Sequence, residues 1–135
     1  MTSSMQQTPP PMGRYPNFCR VGDLIFCSGQ GARDPETNQV PGFQINASGN
    51  ITEYDFAQQV HSVMRNVKTV LEEAGSSWEK IIDVTVYLTD LKRDFDVYNR
   101  IYAEYFGENP PCRTTIGVES LPSHTRIELK VIASV

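Results

Sequence analysis

The chain predicts an α+β fold, a mixed six-stranded sheet with two helices packed on one face. Two stretches, 113–119 and 127–133, alternate apolar and polar side chains with the period of two that a strand imposes. Residues 56–74 instead place apolar side chains every third or fourth position, the spacing of a single helix face. The order of elements reads strand–strand, helix, strand, helix, strand–strand. Strand–helix–strand crossovers between parallel strands are right-handed, which puts both helices on the same side of the sheet.

Taken in order, Phe18–Val21 and Leu24–Ser28 flank Gly22-Asp23, a two-residue turn joining a hairpin. Ser28-Gly29-Gln30-Gly31 ends it with flexible backbone. Residues 32–51 hold Asp34-Pro35, Asn38, Pro41-Gly42 and Ser48-Gly49-Asn50, a turn-rich connection. Its length suggests a functional flap or an extra short hairpin around Ser48-Gly49. Thr52 can cap the first helix, with Asp55 completing an imperfect capping box. Phe56, Val60, Val63, Met64, Val67, Val70, Leu71 and Ala74 form its buried stripe, and Gly75 stops it.

Ser77–Lys80 reads as a short turn into the strand 81–89. There Ile82, Val84, Val86 and Leu88 share one face, with Asp83, Thr85, Tyr87 and Thr89 on the other. A second helix runs from about Asp94 to Phe106, burying Phe95, Tyr98, Ile101 and Tyr102 with Tyr105 or Phe106, and Gly107 ends it. In the next strand Thr114, Ile116 and Val118 point one way; Arg113, Thr115, Gly117 and Glu119 point the other. The last strand sets Ile127, Leu129, Val131 and Ala133 against Glu128 and Lys130. The second sheet face is therefore expected to carry Asp83, Thr85, Tyr87, Arg113, Thr115, Glu119, Glu128 and Lys130. A half-polar face with an aromatic such as Tyr87 suits a subunit interface, so a closed oligomer is expected.

With 135 residues, 39% hydrophobic and 21% charged, the chain has the size and composition of one soluble domain. Residues 13–135 form that domain, and Met1 to Met12, rich in Ser, Gln and Pro, read as a loosely ordered lead-in rather than a secretory signal. A net charge of −4 without a basic run argues against nucleic acid as the main partner. No apolar run approaches the roughly 20 residues that span a membrane. Cys19, Cys27 and Cys112 are an odd set without C-x-x-C spacing, which fits a reducing cytoplasm and neither a disulfide framework nor a zinc site.

From Gly13 onward the chain resembles the RidA/YjgF family of reactive imine and enamine deaminases. The marks are Gly13-Arg14-Tyr15, Ser28-Gly29-Gln30, the Val84–Leu91 strand end, Asn99 within Val97–Tyr102, Pro111-x-Arg113-Thr114, and Ile127–Ala133. The resemblance implies a chorismate-mutase-like fold and a homotrimer with active sites at the subunit interfaces. It also implies that Arg113 grips the substrate carboxylate and that Glu128 handles the attacking water. Tyr15, Ser28 and Asn99 would line or support the cleft. Many members carry Cys two residues after the arginine, where this chain has Thr115. With Gly13-Arg14-Tyr15-Pro16 and the longer 42–55 insert, that departure makes the chain most similar to the 2-aminomuconate deaminase branch.

Each candidate also has a plainer reading. Arg113 offers a planar fork for a carboxylate, or it serves a surface or inter-subunit ion pair. Glu128, flanked by Ile127 and Leu129, is a proton shuttle if burial raises its pKa, or a salt bridge to Lys130 or Arg126. Thr115 can hydrogen-bond substrate beside Arg113, or be an ordinary strand former. Tyr15 and Asn99 read as positioning groups, and Ser28 lacks a neighbouring His or Asp for an acyl-enzyme triad. His61 and His124 are too isolated to form a metal pair, although the turn bearing His124 could reach a cleft. No cofactor is expected, because Gly29 and Gly31 lack a dinucleotide fingerprint.

These readings converge on a cytoplasmic, cofactor-free deaminase acting on 2-aminomuconate, releasing ammonia and 4-oxalocrotonate during aromatic breakdown. A general 2-iminopropanoate/2-iminobutanoate deaminase is the alternative within the same chemistry. A trimer that binds a small carboxylate, or acts as a chaperone, is the alternative outside it. Arg33 and Arg126 are the cations available for a second carboxylate.

Overall fold

The computed structural model describes residues 8–135. Seven strands are present: β1 (Phe18–Val21), β2 (Leu24–Cys27), β3 (Phe43–Ile45), β4 (Ile51–Tyr54), β5 (Ile81–Leu88), β6 (Cys112–Gly117) and β7 (Ile127–Ser134). Two helices, α1 (Phe56–Glu73) and α2 (Leu91–Tyr105), and a 3₁₀ turn at Trp78–Lys80 complete the chain. Five strands, not six, make the main sheet, in the order β1-β2-β7-β5-β6. Its neighbours are antiparallel except β5 and β6, which run parallel across α2. The 32–51 connection does contain the extra hairpin: β3 and β4 pair only with each other, as a separate two-stranded unit.

Both helices cover one face of the sheet. Ile25, Cys27, Val84, Val86, Leu88, Ile127, Leu129, Val131 and Ala133 are buried beneath the apolar stripe of α1 and the Tyr98, Ile101 and Tyr102 face of α2. Each large aliphatic side chain buried there stabilises the fold by about 1.5–3 kcal/mol. Phe95, Tyr105 and Phe106 are only partly buried, packed against the margin of that core.

Helix α1 begins three residues later than a Thr52 cap would place it. Thr52 is spent in β4, and the Asp55 carboxylate accepts the Gln58 amide at 3.1 Å as the N-cap. Gly75, at φ +79°, lets the chain leave the helix at the other end. Helix α2 starts at Leu91 rather than Asp94, because Asp90 caps it through the Arg93 amide at 3.0 Å. In β5 a register shift between Ile81 and Asp83 buries Ile81 and turns Ile82 outward, so Ile82 does not share the buried face of Val84.

The largest correction concerns β6. Arg113 lies level with Val84 and Thr115 with Val86, so both belong to the helix-covered side of the sheet. Thr114 and Ile116 take the open side, level with Thr85 and Tyr87. Thr115 Oγ1 is 2.7 Å from the buried Tyr98 hydroxyl on α2, which fixes the assignment. Glu128 lies level with Tyr87 on the open side, so Arg113 and Glu128 of one chain occupy opposite faces. The open face carries exposed Val21, Leu24, Phe26 and Ile116 beside Glu128 and Lys130.

The expected loose lead-in lies outside the described residues over 1–7. Residues 8–12 are held to the domain: Pro9 is buried, and the Thr8 hydroxyl donates at 3.3 Å to Glu73 and accepts from Asn17 Nδ2 at 3.0 Å. Among the described residues no helix is long and apolar enough to cross a membrane.

Candidate active site

A cleft of about 60 Å³ opens where β2 gives way to Gly29–Arg33, opposite Pro9–Tyr15. Tyr15, Asn17, Arg33, Ser123, Thr125 and Glu128 are among the residues lining it. Its inner wall is pinned from several elements. Gln30 exchanges backbone hydrogen bonds with Leu129 of β7, at 2.8 and 2.9 Å. Asn66 of α1 donates to the Gly31 and Arg33 carbonyls at 2.9 and 2.8 Å, and Thr125 Oγ1 accepts the Ala32 amide at 3.2 Å. Ser28 holds the outer wall, donating its hydroxyl to Pro16 O at 2.7 Å and its amide to Asn17 O at 2.9 Å. It therefore fixes the segment that carries Tyr15 and does not itself line the cleft. Tyr15 is half exposed, and its hydroxyl accepts the Met12 amide at 3.3 Å.

Glu128 is the carboxylate of this cleft. It is partly buried and, among the described residues, has neither an ion pair nor a hydrogen-bond partner, so the alternative of a salt bridge to Lys130 or Arg126 is not formed. Burial raises its pKa above the usual carboxylate range, and the Lys130 charge offsets only part of that rise. The Gly29 backbone lies against it, where a Cβ would overlap the carboxylate oxygen. Gly29→Ala should therefore fold, because a flexible side chain can swing aside, with a stability change within about 1 kcal/mol. Any activity that depends on Glu128 should fall about 10- to 100-fold, since displacing a reacting group by an ångström has that effect. Steady-state rates and thermal melts of the one variant read both quantities.

Arg113 belongs to a second group, on the rim formed by the edge strand β6 and α2. Its Nη1 donates to Asn99 Oδ1 at 2.8 Å, and its guanidinium lies 4.7 Å from the Tyr102 ring centroid and 5.3 Å from that of Tyr98. Tyr98 and Tyr102, four residues apart, share a helix face and form a platform under the cation. Among the described residues Asn99 is its sole hydrogen-bond acceptor, so the rest of the fork is available to a ligand. The Tyr102 hydroxyl is buried without a hydrogen-bond partner among the described residues, and burial pushes its pKa up to about 12. Thr115 is engaged with Tyr98 beneath Arg113, which makes it part of the platform's support.

The remaining candidates lie elsewhere. Arg126 stacks on Tyr54 at 3.2 Å from the ring centroid, and its backbone amide is held by Gln59 at 2.9 Å, outside the cleft. His124 packs its ring against Phe43, while its neighbours Pro122 and Ser123 reach the cleft instead. His61 Nδ1 is 2.6 Å from the Tyr105 hydroxyl on the outer helical surface. Sequence reading missed three contributors: Gly29 as the space for Glu128, the tyrosine platform (read as plain core), and Pro9–Met12 as a cleft wall. The tyrosine pair had a signal in its helical spacing; the others depend on which segments meet.

Comparison with known proteins places the chain. The family model described as Endoribonuclease L-PSP matches residues 5–135. A RutC family protein of Pyrococcus abyssi is 41% identical over 128 residues, covering 95% of this chain and 91% of its own length. The structure of RidA from an Antarctic Psychrobacter superposes with a TM-score of 0.83 at 29% identity, covering 98% of this chain and 99% of that one. Escherichia coli TdcF, solved with bound serine, gives a TM-score of 0.82 at 30% identity, over 97% of this chain and 95% of that one. On these matches the chain belongs to the Endoribonuclease L-PSP family, the RidA/YjgF family its sequence resembles.

Proposed function

We propose that the protein is a hydrolytic deaminase of enamine or imine acids, working as a homotrimer whose active sites form between subunits. The observation that supports this most is Glu128, a partly buried carboxylate with no ion pair among the described residues, which lines an open cleft with Tyr15. A buried carboxylate of raised pKa is suited to taking and returning a proton near neutrality. The complementary cation is Arg113, presented with Asn99 on a rim that the same chain cannot bring to its own Glu128. A neighbouring copy can supply it. The exposed apolar side chains of the open sheet face favour such packing.

The reaction then follows from the chemistry of the groups. The enamine tautomerises to the imine, and Arg113 of a neighbouring copy orients the substrate carboxylate bidentately. Glu128 removes a proton from water as its oxygen bonds to the carbon of the protonated C=N, giving a neutral carbinolamine. That proton passes from Glu128 to nitrogen, the C–N bond breaks, and ammonia leaves as the hydroxyl loses its proton and becomes the carbonyl. The two histidines lie apart, His61 against Tyr105 and His124 against Phe43, so the proposed chemistry rests on Glu128 and Arg113.

Within this class, 2-aminomuconate is the first substrate and the small 2-imino acids are the alternative. Two features that pointed to the former act elsewhere: Thr115 supports Tyr98, and the 42–55 insert forms a hairpin away from the cleft. Ammonia release from freshly generated 2-aminomuconate and from 2-iminopropanoate decides between them. The active substrate should show kcat/KM falling toward acid as Glu128 takes up its proton, with a midpoint above the ordinary carboxylate range. Release from neither substrate would favour a non-catalytic binding protein.

A further inference from the structure

We propose that Arg33 reads a second carboxylate on the ligand, so that the cleft is built for dicarboxylic acids. The inference deepens the deaminase reading and rests on it for the reaction, though not for binding. Arg33 lines the same cleft as Glu128, four residues beyond Gly29 along one wall. Both side chains line one cleft, so a single ligand lying in it can meet both.

The hydrogen bonds of Arg33 are all to neutral acceptors. Nη1 donates to Asn38 Oδ1 at 2.6 Å, and Nη2 donates to the Pro10 carbonyl. Its neighbour in sequence, Asp34, accepts instead from the Glu36 and Thr37 amides, at 2.8 and 3.1 Å. Among the described residues Arg33 has no carboxylate within ion-pair distance, whereas Arg93 is paired twice. Its carbonyl and that of Gly31 are fixed by Asn66, so the backbone beneath the guanidinium is set by α1. A guanidinium that lines the cleft on a fixed backbone, with no ion pair among the described residues, is available to an anion. An anionic group on the ligand supplies one.

The test uses cis,cis-muconate and sorbate, which share a six-carbon diene acid skeleton and differ in having two carboxylates or one. Dissociation constants are measured calorimetrically on the full chain, without turnover. The parent should bind muconate about 10- to 100-fold more tightly than sorbate, and Arg33→Gln should bring that ratio near one. Arg33→Lys should restore part of it. A parent without preference overturns the proposal. So does an Arg33→Gln protein that keeps the preference, or one that loses both ligands equally, since the Pro10 contact alone would then explain the loss. If muconate is preferred through Arg33 while no enamine or imine acid is turned over, the deaminase reading fails and this one stands.

Discussion

Glu128→Gln is expected to slow ammonia release about 10²- to 10⁴-fold, the usual contribution of a positioned acid–base group. The amide keeps the shape of the side chain against Gly29 but can neither take nor return the proton. Stability should not fall with activity. The native carboxyl has its pKa raised by burial, so between the unfolded and native values the folded state holds more protons. That carboxyl's contribution to stability therefore declines as pH rises through this window. At neutral pH the variant, carrying no charge to desolvate, should melt at the same temperature as the parent or higher. A loss of both activity and melting temperature would mark Glu128 as structural.

Arg113→Ala should lower kcat/KM by about 10- to 100-fold, the effect of losing a charge-assisted bidentate contact. Most of it should appear in KM, because the carboxylate is held in ground state and transition state alike. Arg113→Lys should recover little, since a point charge cannot replace a fork stacked on Tyr98 and Tyr102. The exposed side chain makes no ion pair among the described residues, so the melting temperature should move by less than about 1 kcal/mol in stability terms.

Much of the fold was legible because one covered face imposes a clean period. Ile127, Leu129, Val131 and Ala133 are buried as their alternation requires, and the α1 stripe packs as its spacing requires. β6 was misread for a physical reason. On that edge strand the more apolar set, Thr114 and Ile116, faces the open side, while the covered side meets a tyrosine platform that takes a cation and a hydroxyl. Polarity no longer distinguishes the faces there. The end of α1 was legible from Gly75; its start was not, because Thr52 and Asp55 are both good caps and only pairing with β3 commits Thr52 to a strand.

The site was legible as residues and not as geometry. Glu128 and Tyr15 do meet, and Asn99 does hold Arg113. Their division between two faces follows from the β5–β6 register, which sequence alone does not supply. Arg33 could be named as a cation but not located, since its place depends on how the wall folds back on Pro10.

That division gives the most direct test. Arg113→Ala and Glu128→Gln chains, each expected to keep at most about a tenth of the parent's kcat/KM, are co-expressed with different tags, and the mixed assemblies are isolated and assayed at substrate concentrations well below KM. If each site takes Glu128 from one subunit and Arg113 from its neighbour, each mixed trimer contains an intact site at roughly one interface in three. Activity of the isolated mixed assemblies should return to about a third of the parent's. Mixed assemblies no more active than either variant alone would contradict a site shared between subunits.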